Sequence, residues 1–203
     1  MSATDTKKAP MEELLGENLL TKVKGPKKAT SAALKDKDLV LLYFSASWCP
    51  PCRQFSPILK DFYKSCAEKG KIETVYVSSD KNIQEFEEYF GSMPWLSLPE
   101  GAGESSSTVK NQLAQSLQIG GIPTLVVVDA KTGKFVTGSA REDITRVGGN
   151  NPDKGLELIQ QWKTIEPVPF SEAKLSQGPG GILGTIQSLV MYILKNPIFI
   201  FGK

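Results

Sequence analysis

Residues 39–52 read LVLLYFSASWCPPC and give the clearest indication of how the chain folds. Its first part, Leu39 to Phe44, is a continuous apolar run of the kind found in central parallel strands, which are covered on both faces. After the two prolines, apolar residues recur at helical spacing and form one stripe that ends near Gly70. The stripe comprises Phe55, Ile58, Leu59, Phe62, Tyr63 and Cys66. The pattern predicts a strand, a loop and a helix, with two cysteines where the helix starts.

The residues that follow alternate between strand and helix patterns. Predicted strands cover residues 72–77, 124–128 and 135–137, and predicted helices cover residues 83–90, about 106–117, and a last one that begins at Pro152. Ser78-Ser79-Asp80 could cap the helix over residues 83–90, because short polar side chains accept hydrogen bonds from the first free amides. The last helix turns Leu156, Ile159 and Trp162 inward. The predicted fold class is α/β, with a central mixed β-sheet flanked by helices.

Length and composition predict one domain with extensions, since 203 residues are few for two domains of ordinary size. Residues 1–10 are polar and show neither an export signal nor a presequence, so we expect a flexible N-terminus. Residues 11–165 carry the strand and helix patterns of the domain. Residues 166–181 are rich in Pro, Ser and Gly and are predicted to be a linker. Residues 182–201 form a hydrophobic tail.

The hydrophobic tail is predicted to be a C-terminal helix and is a candidate membrane anchor. A membrane span needs roughly 20 apolar residues, so Gly180 to Leu194 would span only if Lys195 snorkels and residues 198–201 contribute. The apolar positions also form one helical stripe, which suits a helix in the membrane interface or packed on protein. Insertion after synthesis would leave a cytoplasmic domain on the cytosolic face of an organelle membrane, such as the mitochondrial outer membrane.

Composition excludes several classes of function. A net charge of +2 with scattered lysines gives no basic stripe for nucleic acid. The sequence contains no histidine, which removes Ser-His and Cys-His catalysis and Cys2His2 zinc sites. The three cysteines are odd in number and too few for the disulfide framework of a small secreted protein, which favours a reducing compartment.

Cys49 and Cys52 carry the predicted chemistry. At a helix N-terminus, free amides and the helix dipole stabilise a thiolate and lower a cysteine pKa from about 8.5 to roughly 3.5–7.5. We therefore predict that Cys49 is an exposed nucleophile and that Cys52, one turn inward, resolves the mixed disulfide. The alternatives are a zinc half-site and a disulfide that only braces the fold. Zinc needs four ligands, and Cys66 cannot complete such a set with Cys49 and Cys52. Cys66 lies in the apolar stripe and is assigned to the core.

The residues that flank the two cysteines are assigned to substrate binding. Trp48 could offer a flat docking surface or simply shield the loop, and Pro50 and Pro51 are assigned to the same surface. Arg53 could favour the Cys49 thiolate, bind an anionic partner, or be a solvated helix arginine.

A second informative site is Ile122-Pro123, where a proline enters a strand. Proline at such a position signals an edge, a bulge or a cis bond. We predict a cis Ile122-Pro123 bond facing Cys49, which would leave the Ile122 backbone free to pair with an extended substrate. The alternative is a trans proline that merely starts the strand.

The sequence YFSASWCPPCR at residues 43–53 resembles the tryparedoxins, with the nucleoredoxins as more distant relatives. Residues 89–99 and 122–125 match later motifs of that family, so the resemblance covers about residues 11–165. It implies a thioredoxin-like fold, no bound cofactor, trypanothione as electron-donating co-substrate and peroxiredoxin-type peroxidases among the acceptors. It also aligns Arg141 with an arginine near the family's active site, although Arg141 could instead be an ordinary loop residue.

Two departures from related proteins affect the expected mechanism. Thioredoxins carry a buried carboxylate where this chain has Tyr43, so the proton of Cys52 must leave by another route, with water as the default. The family's docking surface has two adjacent acids suited to a cationic polyamine, whereas here Asp80 is followed by Lys81. If Lys81 lines the site, we expect it to repel a cationic donor.

Two functions of different class remain open at this point. The first is an enzyme that passes electrons from a low-molecular-weight dithiol to protein disulfides. The second is a membrane-tethered adaptor or chaperone that binds clients without turnover, which the intact Cys49-Cys52 pair disfavours.

Overall fold

The computed structural model describes residues 8–99 and 109–175. Its strands are β1 (Asn18–Leu20), β2 (Lys27–Ala29), β3 (Leu39–Ser45), β4 (Ile72–Ser78), β5 (Leu96–Ser97), β6 (Thr124–Asp129) and β7 (Phe135–Thr137). Its helices are α1 (Pro10–Leu15), α2 (Thr30–Ala33), α3 (Pro50–Gly70), α4 (Ile83–Gly91), α5 (Val109–Ser116), α6 (Ala140–Val147) and α7 (Pro152–Lys163). A short 3-10 helix covers Phe170–Glu172.

All the strands of the described residues belong to one mixed sheet, in the order β2-β1-β5-β4-β3-β6-β7. Strand β3 lies in its interior, parallel to β4 and antiparallel to β6. The β3–β4 ladder runs from Leu39 opposite Ile72 to Ser45 opposite Ser78. Every residue of β3 is buried, as the continuous apolar run predicts for a strand covered on both faces. The predicted α/β class with a mixed sheet is confirmed.

Two hydrophobic cores lie on opposite faces of the sheet. Alternate β3 residues separate them, since Leu41 and Tyr43 face one core and Leu42 and Phe44 the other. Buried residues of α3, α4, α6 and α7 complete the first core, and those of α1, α2 and α5 contribute to the second. Helix α3 ends at Gly70, the predicted position, and Lys71 follows it in the left-handed conformation. The cores thereby fix the junction between β3 and α3, where the cysteines lie.

Several local features differ from the sequence prediction. The cap of α4 is Asn82, whose side chain accepts from the amide of Glu85 at 2.9 Å. The predicted cap, Ser78-Ser79-Asp80, lies too early, because Ser78 and Asp80 bond to each other inside the fold. In α7, Ile159 and Trp162 are buried as predicted, whereas Leu156 is only half-buried.

The structure contains elements on both sides of the central strands that the sequence patterns do not indicate. The β1–β2 hairpin and α6 had no counterpart among the predicted elements. Residues 166–175, part of the predicted linker, contact the domain: Val168 pairs with Phe135, and Leu175 packs on the second core.

The hydrophobic tail, residues 182–201, lies outside the described residues. Within residues 8–99 and 109–175, no helix has the length and apolar content needed to cross a membrane.

Candidate active site

Cys49 and Cys52 form a disulfide where β3 passes into α3. Cys49 is the N-cap of α3, and its Sγ accepts a hydrogen bond from the Cys52 amide at 3.3 Å. Pro50 and Pro51 occupy the first two helical positions and have no N–H, so the Cys52 amide is the first free donor of the helix. The two prolines therefore direct the first available amide of α3 at the sulfur of Cys49.

The two cysteines differ less in solvent exposure than the predicted roles of exposed nucleophile and inner thiol suggest. Cys52 is fully buried, and Cys49 is only 4% exposed, so the expected exposed nucleophile is largely covered in this disulfide form. Ala46 and the two cysteines form a small apolar cluster, and Ile122 packs against it. The contact with Ile122 explains the low exposure of Cys49. Of the two residues, Cys49 is the one that keeps any exposure.

The Ile122-Pro123 peptide bond is cis, as predicted. Its position brings the carbonyl oxygen of Ile122 to 3.7 Å from the Sγ of Cys49. Thr124, the next residue, begins β6 and pairs with Phe44 at the end of β3. The two stretches that the sequence singled out, residues 49–52 and 122–123, therefore meet at one end of the sheet.

Trp48 supplies an exposed apolar surface beside the disulfide. Its side chain is 44% exposed, and its indole N–H donates to the carbonyl oxygen of Ser79 at 2.9 Å. The Nζ atom of Lys81 lies 5.4 Å from the centroid of the Trp48 ring, within the range of a cation–π contact. Pro50 and Pro51 are also exposed. Lys81 therefore lines the surface around the disulfide.

The three charged residues assigned to substrate binding all contact backbone. Arg53 donates from Nη1 to the carbonyl oxygen of Ser47 at 2.6 Å. Arg141 donates from Nη1 to the carbonyl oxygen of Pro123 at 3.3 Å and forms an ion pair with Glu142 at 3.0 Å. Asp80 is only 4% exposed, and its Oδ1 accepts from the Ser47 amide at 2.6 Å. The carboxylate of Asp80 thus points into the fold, in contrast to the expected acid on the docking surface.

A chain of hydroxyl groups that the sequence did not predict lies beneath Cys52. The Tyr43 hydroxyl contacts the carbonyl oxygen of Cys52 at 3.4 Å and the Ser56 hydroxyl at 2.8 Å, and Ser56 contacts the Tyr89 hydroxyl at 2.6 Å. Burial raises the pKa of Tyr43, so this hydroxyl stays neutral at physiological pH. Tyr89 is half-buried, so the hydroxyl chain leads from the backbone of Cys52 towards the surface. The one feature of the sequence that could have indicated this chain of hydroxyl groups is Ser56, a polar residue on the apolar face of α3.

Cys66 is a core residue, as predicted from its place in the stripe. It is a free thiol, 1% exposed, and its Sγ lies 3.7 Å from the carbonyl oxygen of Pro152. Burial raises its pKa, which lowers its thiolate fraction. Among the described residues, no three cysteine or carboxylate side chains cluster so as to hold a metal ion.

We expect Cys66 to resist alkylation in the folded, reduced protein. Its raised pKa and its burial both act against attack on iodoacetamide, so labelling of Cys66 at pH 8 should be at least about tenfold slower than in urea. Mass spectrometry of peptides after timed labelling measures both rates, with Cys49 as the internal comparison. Labelling of Cys66 as fast as that of Cys49 would contradict its place in the core.

Comparison with known proteins agrees with the fold. A family model described as Thioredoxin-like matches residues 36–135. Tryparedoxin of Trypanosoma brucei brucei is 44% identical over 102 residues, which are 50% of this chain and 68% of the relative. Nucleoredoxin of Danio rerio is 33% identical over 171 residues, which are 84% of this chain but only 38% of the relative. A solved structure of tryparedoxin II with glutathionylspermidine superposes with a TM-score of 0.58 at 37% identity, covering 64% of this chain and 85% of that one.

Proposed function

Because this chain belongs to the tryparedoxins, a family of thioredoxin-like thiol-disulfide oxidoreductases, we propose that it passes electrons from trypanothione or a similar dithiol to protein disulfides through Cys49 and Cys52. The observation that carries the proposal is the position of Cys49. It caps α3, accepts the first free amide of that helix and is disulfide-bonded to Cys52. A helix N-terminus stabilises negative charge, which is what a nucleophilic thiolate requires.

The reaction transfers two electrons in two exchange steps. The Cys49 thiolate attacks one sulfur of the acceptor disulfide; the acceptor S–S bond breaks, a mixed disulfide forms, and the second acceptor sulfur leaves as a thiolate that takes a proton from water. Cys52 then loses its proton to water and attacks the Sγ of Cys49. The Cys49–Cys52 disulfide forms, and the acceptor is released as a dithiol. A dithiol donor reverses these steps on the enzyme and is itself oxidised.

We propose trypanothione as the donor and peroxiredoxin-type peroxidases among the acceptors, as the resemblance to the tryparedoxins implies. Support for the donor class comes from tryparedoxin II, which has been solved with glutathionylspermidine, a related polyamine-linked thiol. For a protein acceptor, the exposed ring of Trp48 offers an apolar surface, and the backbone of Ile122 beside Cys49 can pair with an extended segment. Neither contact requires a bound cofactor or metal.

A comparison of electron sources tests the proposed function. The full chain is oxidised and then offered trypanothione, glutathione, or thioredoxin reductase with NADPH, and reduction of insulin disulfides is followed over time against the same mixture without the chain. We expect trypanothione to support the fastest turnover. Turnover with none of the three sources would contradict an oxidoreductase, and turnover with thioredoxin reductase alone would contradict the proposed donor.

Lys81 is expected to weaken binding of the cationic donor. It lines the Trp48 surface, so like charges would meet there, and Lys81→Glu should lower the KM for trypanothione by about twofold or more while kcat changes little. Lys131→Glu, in the exposed turn between β6 and β7, is the matched control for the change in net charge. Equal KM values for the wild type and Lys81→Glu would show that Lys81 does not meet the donor.

For localisation we propose a cytoplasmic domain attached to an organelle membrane by the hydrophobic tail. The apolar sequence of residues 182–201 supports this proposal. Fusing these residues to a soluble reporter tests it. A reporter released by carbonate would exclude a spanning anchor, and one never found on membranes would exclude attachment of either kind.

A further inference from the structure

We propose that Asp80 and Arg53 are positioning residues that hold the peptide groups of Ser47 from opposite sides and thereby place Trp48 and Cys49. The Ser47 amide donates to Asp80 Oδ1 at 2.6 Å, and the Ser47 carbonyl oxygen accepts from Arg53 Nη1 at 2.6 Å. One residue of the loop is therefore held by an anion on its N–H and by a cation on its C=O. Hydrogen bonds to charged groups are roughly twice as strong as neutral ones.

The two bonds that Asp80 and Arg53 make to Ser47 form a clamp. Its anionic side, Asp80, is anchored in the fold. The second carboxylate oxygen of Asp80 accepts from the Tyr76 hydroxyl at 2.6 Å and from the Ser78 hydroxyl at 2.8 Å. Tyr76 and Ser78 belong to β4, and the Tyr76 hydroxyl also contacts the carbonyl oxygen of Ser45 at 3.2 Å. These bonds leave Asp80 little rotational freedom. The carboxylate therefore fixes the Ser47 amide relative to the sheet.

The cationic side comes from the first turn of α3. Arg53 donates its own amide to the carbonyl oxygen of Cys49 at 3.1 Å, while its guanidinium reaches back to Ser47. Arg53 thus ties the loop to the helix that Cys49 caps, and Asp80 ties the same loop to β4. The next two residues, Trp48 and Cys49, depend on that placement for the indole bond to Ser79 and for the Cys52 amide bond.

A different account would give these charges a direct effect on the Cys49 thiolate through space. The two accounts make different predictions for the conservative variant of Asp80. A charge effect depends only on the charge, so Asp80→Asn and Asp80→Ala should behave alike. A clamp depends on the acceptor atom, so Asp80→Asn should retain most of the function that Asp80→Ala loses. Arg53→Lys keeps both the charge and a donor, so for Arg53 the two accounts are separated by the exposure of Trp48, which only a clamp changes.

The test measures kcat/KM for insulin disulfide reduction with the full-length chain, using dithiothreitol to recycle it, and so rests on the proposed function. We expect Arg53→Met and Asp80→Ala each to lose about tenfold, and Arg53→Lys and Asp80→Asn to stay within about threefold of the wild type. Because both residues hold one peptide segment, the Arg53→Met/Asp80→Ala double variant should lie within about threefold of the worse single variant. Arg146→Met and Asp38→Asn, which remove ion pairs away from the loop, serve as controls.

A second readout does not depend on turnover. Trp95 and Trp162 are buried, so acrylamide quenching of fluorescence reports mainly on Trp48, and quenching should increase in Arg53→Met but not in Arg53→Lys. Identical results for the Asn and Ala variants, or for the Lys and Met variants, would overturn the clamp, as would losses that multiply in the double variant. If Asp80→Ala does not fold, quenching in the Arg53 series decides alone, because a through-space charge effect would leave the exposure of Trp48 unchanged. An inactive wild type would contradict the proposed function and leave the quenching test intact.

Discussion

Serine in place of Cys49 is expected to abolish disulfide reduction, and serine in place of Cys52 is expected to trap a mixed disulfide on Cys49. Without the Cys49 sulfur no thiolate lies at the start of α3, and the rate should fall on the order of a thousandfold or more. Without Cys52 the first exchange still occurs, because the Cys49 sulfur remains. The acceptor then stays attached, since nothing inside the fold can expel it.

These outcomes are measured with an acceptor disulfide protein, by turnover and by the mass of the product. Cys66→Ala is the matched control, because Cys66 is a buried free thiol that belongs to the core, and we expect it to retain turnover. For Cys52→Ser, the trapped product should have the summed mass of the two proteins and should disappear on addition of dithiothreitol. Equal turnover in the wild type and both serine variants would refute the exchange mechanism and favour a binding protein without turnover.

The central part of the fold could be predicted from the sequence because its signals are local. The apolar run of β3 and the stripe of α3 each record burial within one element, and the structure buries both as expected. The N-terminal strands β1 and β2 have three residues each, too few for a period-two pattern to be recognised. Helix α6 was missed because it has only eight residues, of which Ala140 and Ile144 are buried, so its apolar positions are too few for a helical period to be recognised.

In the candidate site, too, the locally marked features could be predicted and the long-range contacts could not. The cysteine pair and the cis proline could be predicted, since each is marked by a short motif whose chemistry is local. The contacts of Asp80 could not, because its bond to the Ser47 amide joins residues 33 positions apart in the chain. A surface acid and a buried, bonded carboxylate look alike in sequence. Only the placement of β4 beside β3 decides between them.

Alanine in place of Gly155 is expected to destabilise the domain by about 1–3 kcal/mol. Gly155 is a buried residue of α7 where this helix packs on α3. A methyl group there would overlap the Sγ of Cys66 and would lie 3.2 Å from a ring carbon of Phe62. Both neighbours are buried in the core, so relief requires the two helices to move apart. Gly91→Ala is the matched control, because its methyl group would meet Val23 at an ordinary 3.5 Å.

The Cys66→Ala variant should partly restore the stability of Gly155→Ala, since it removes the sulfur that the new methyl group would overlap. Alone, Cys66→Ala leaves a small cavity and should cost about 1 kcal/mol. In the double variant the two losses should fall short of their sum by at least about 0.5 kcal/mol. Urea unfolding of the oxidised protein, with the Cys49–Cys52 disulfide intact in every variant, measures the three free energies on one scale. Strictly additive losses would mean that the packing of α7 on α3 does not depend on the contact between Gly155 and Cys66, and that Cys66 contributes only its own volume to the core.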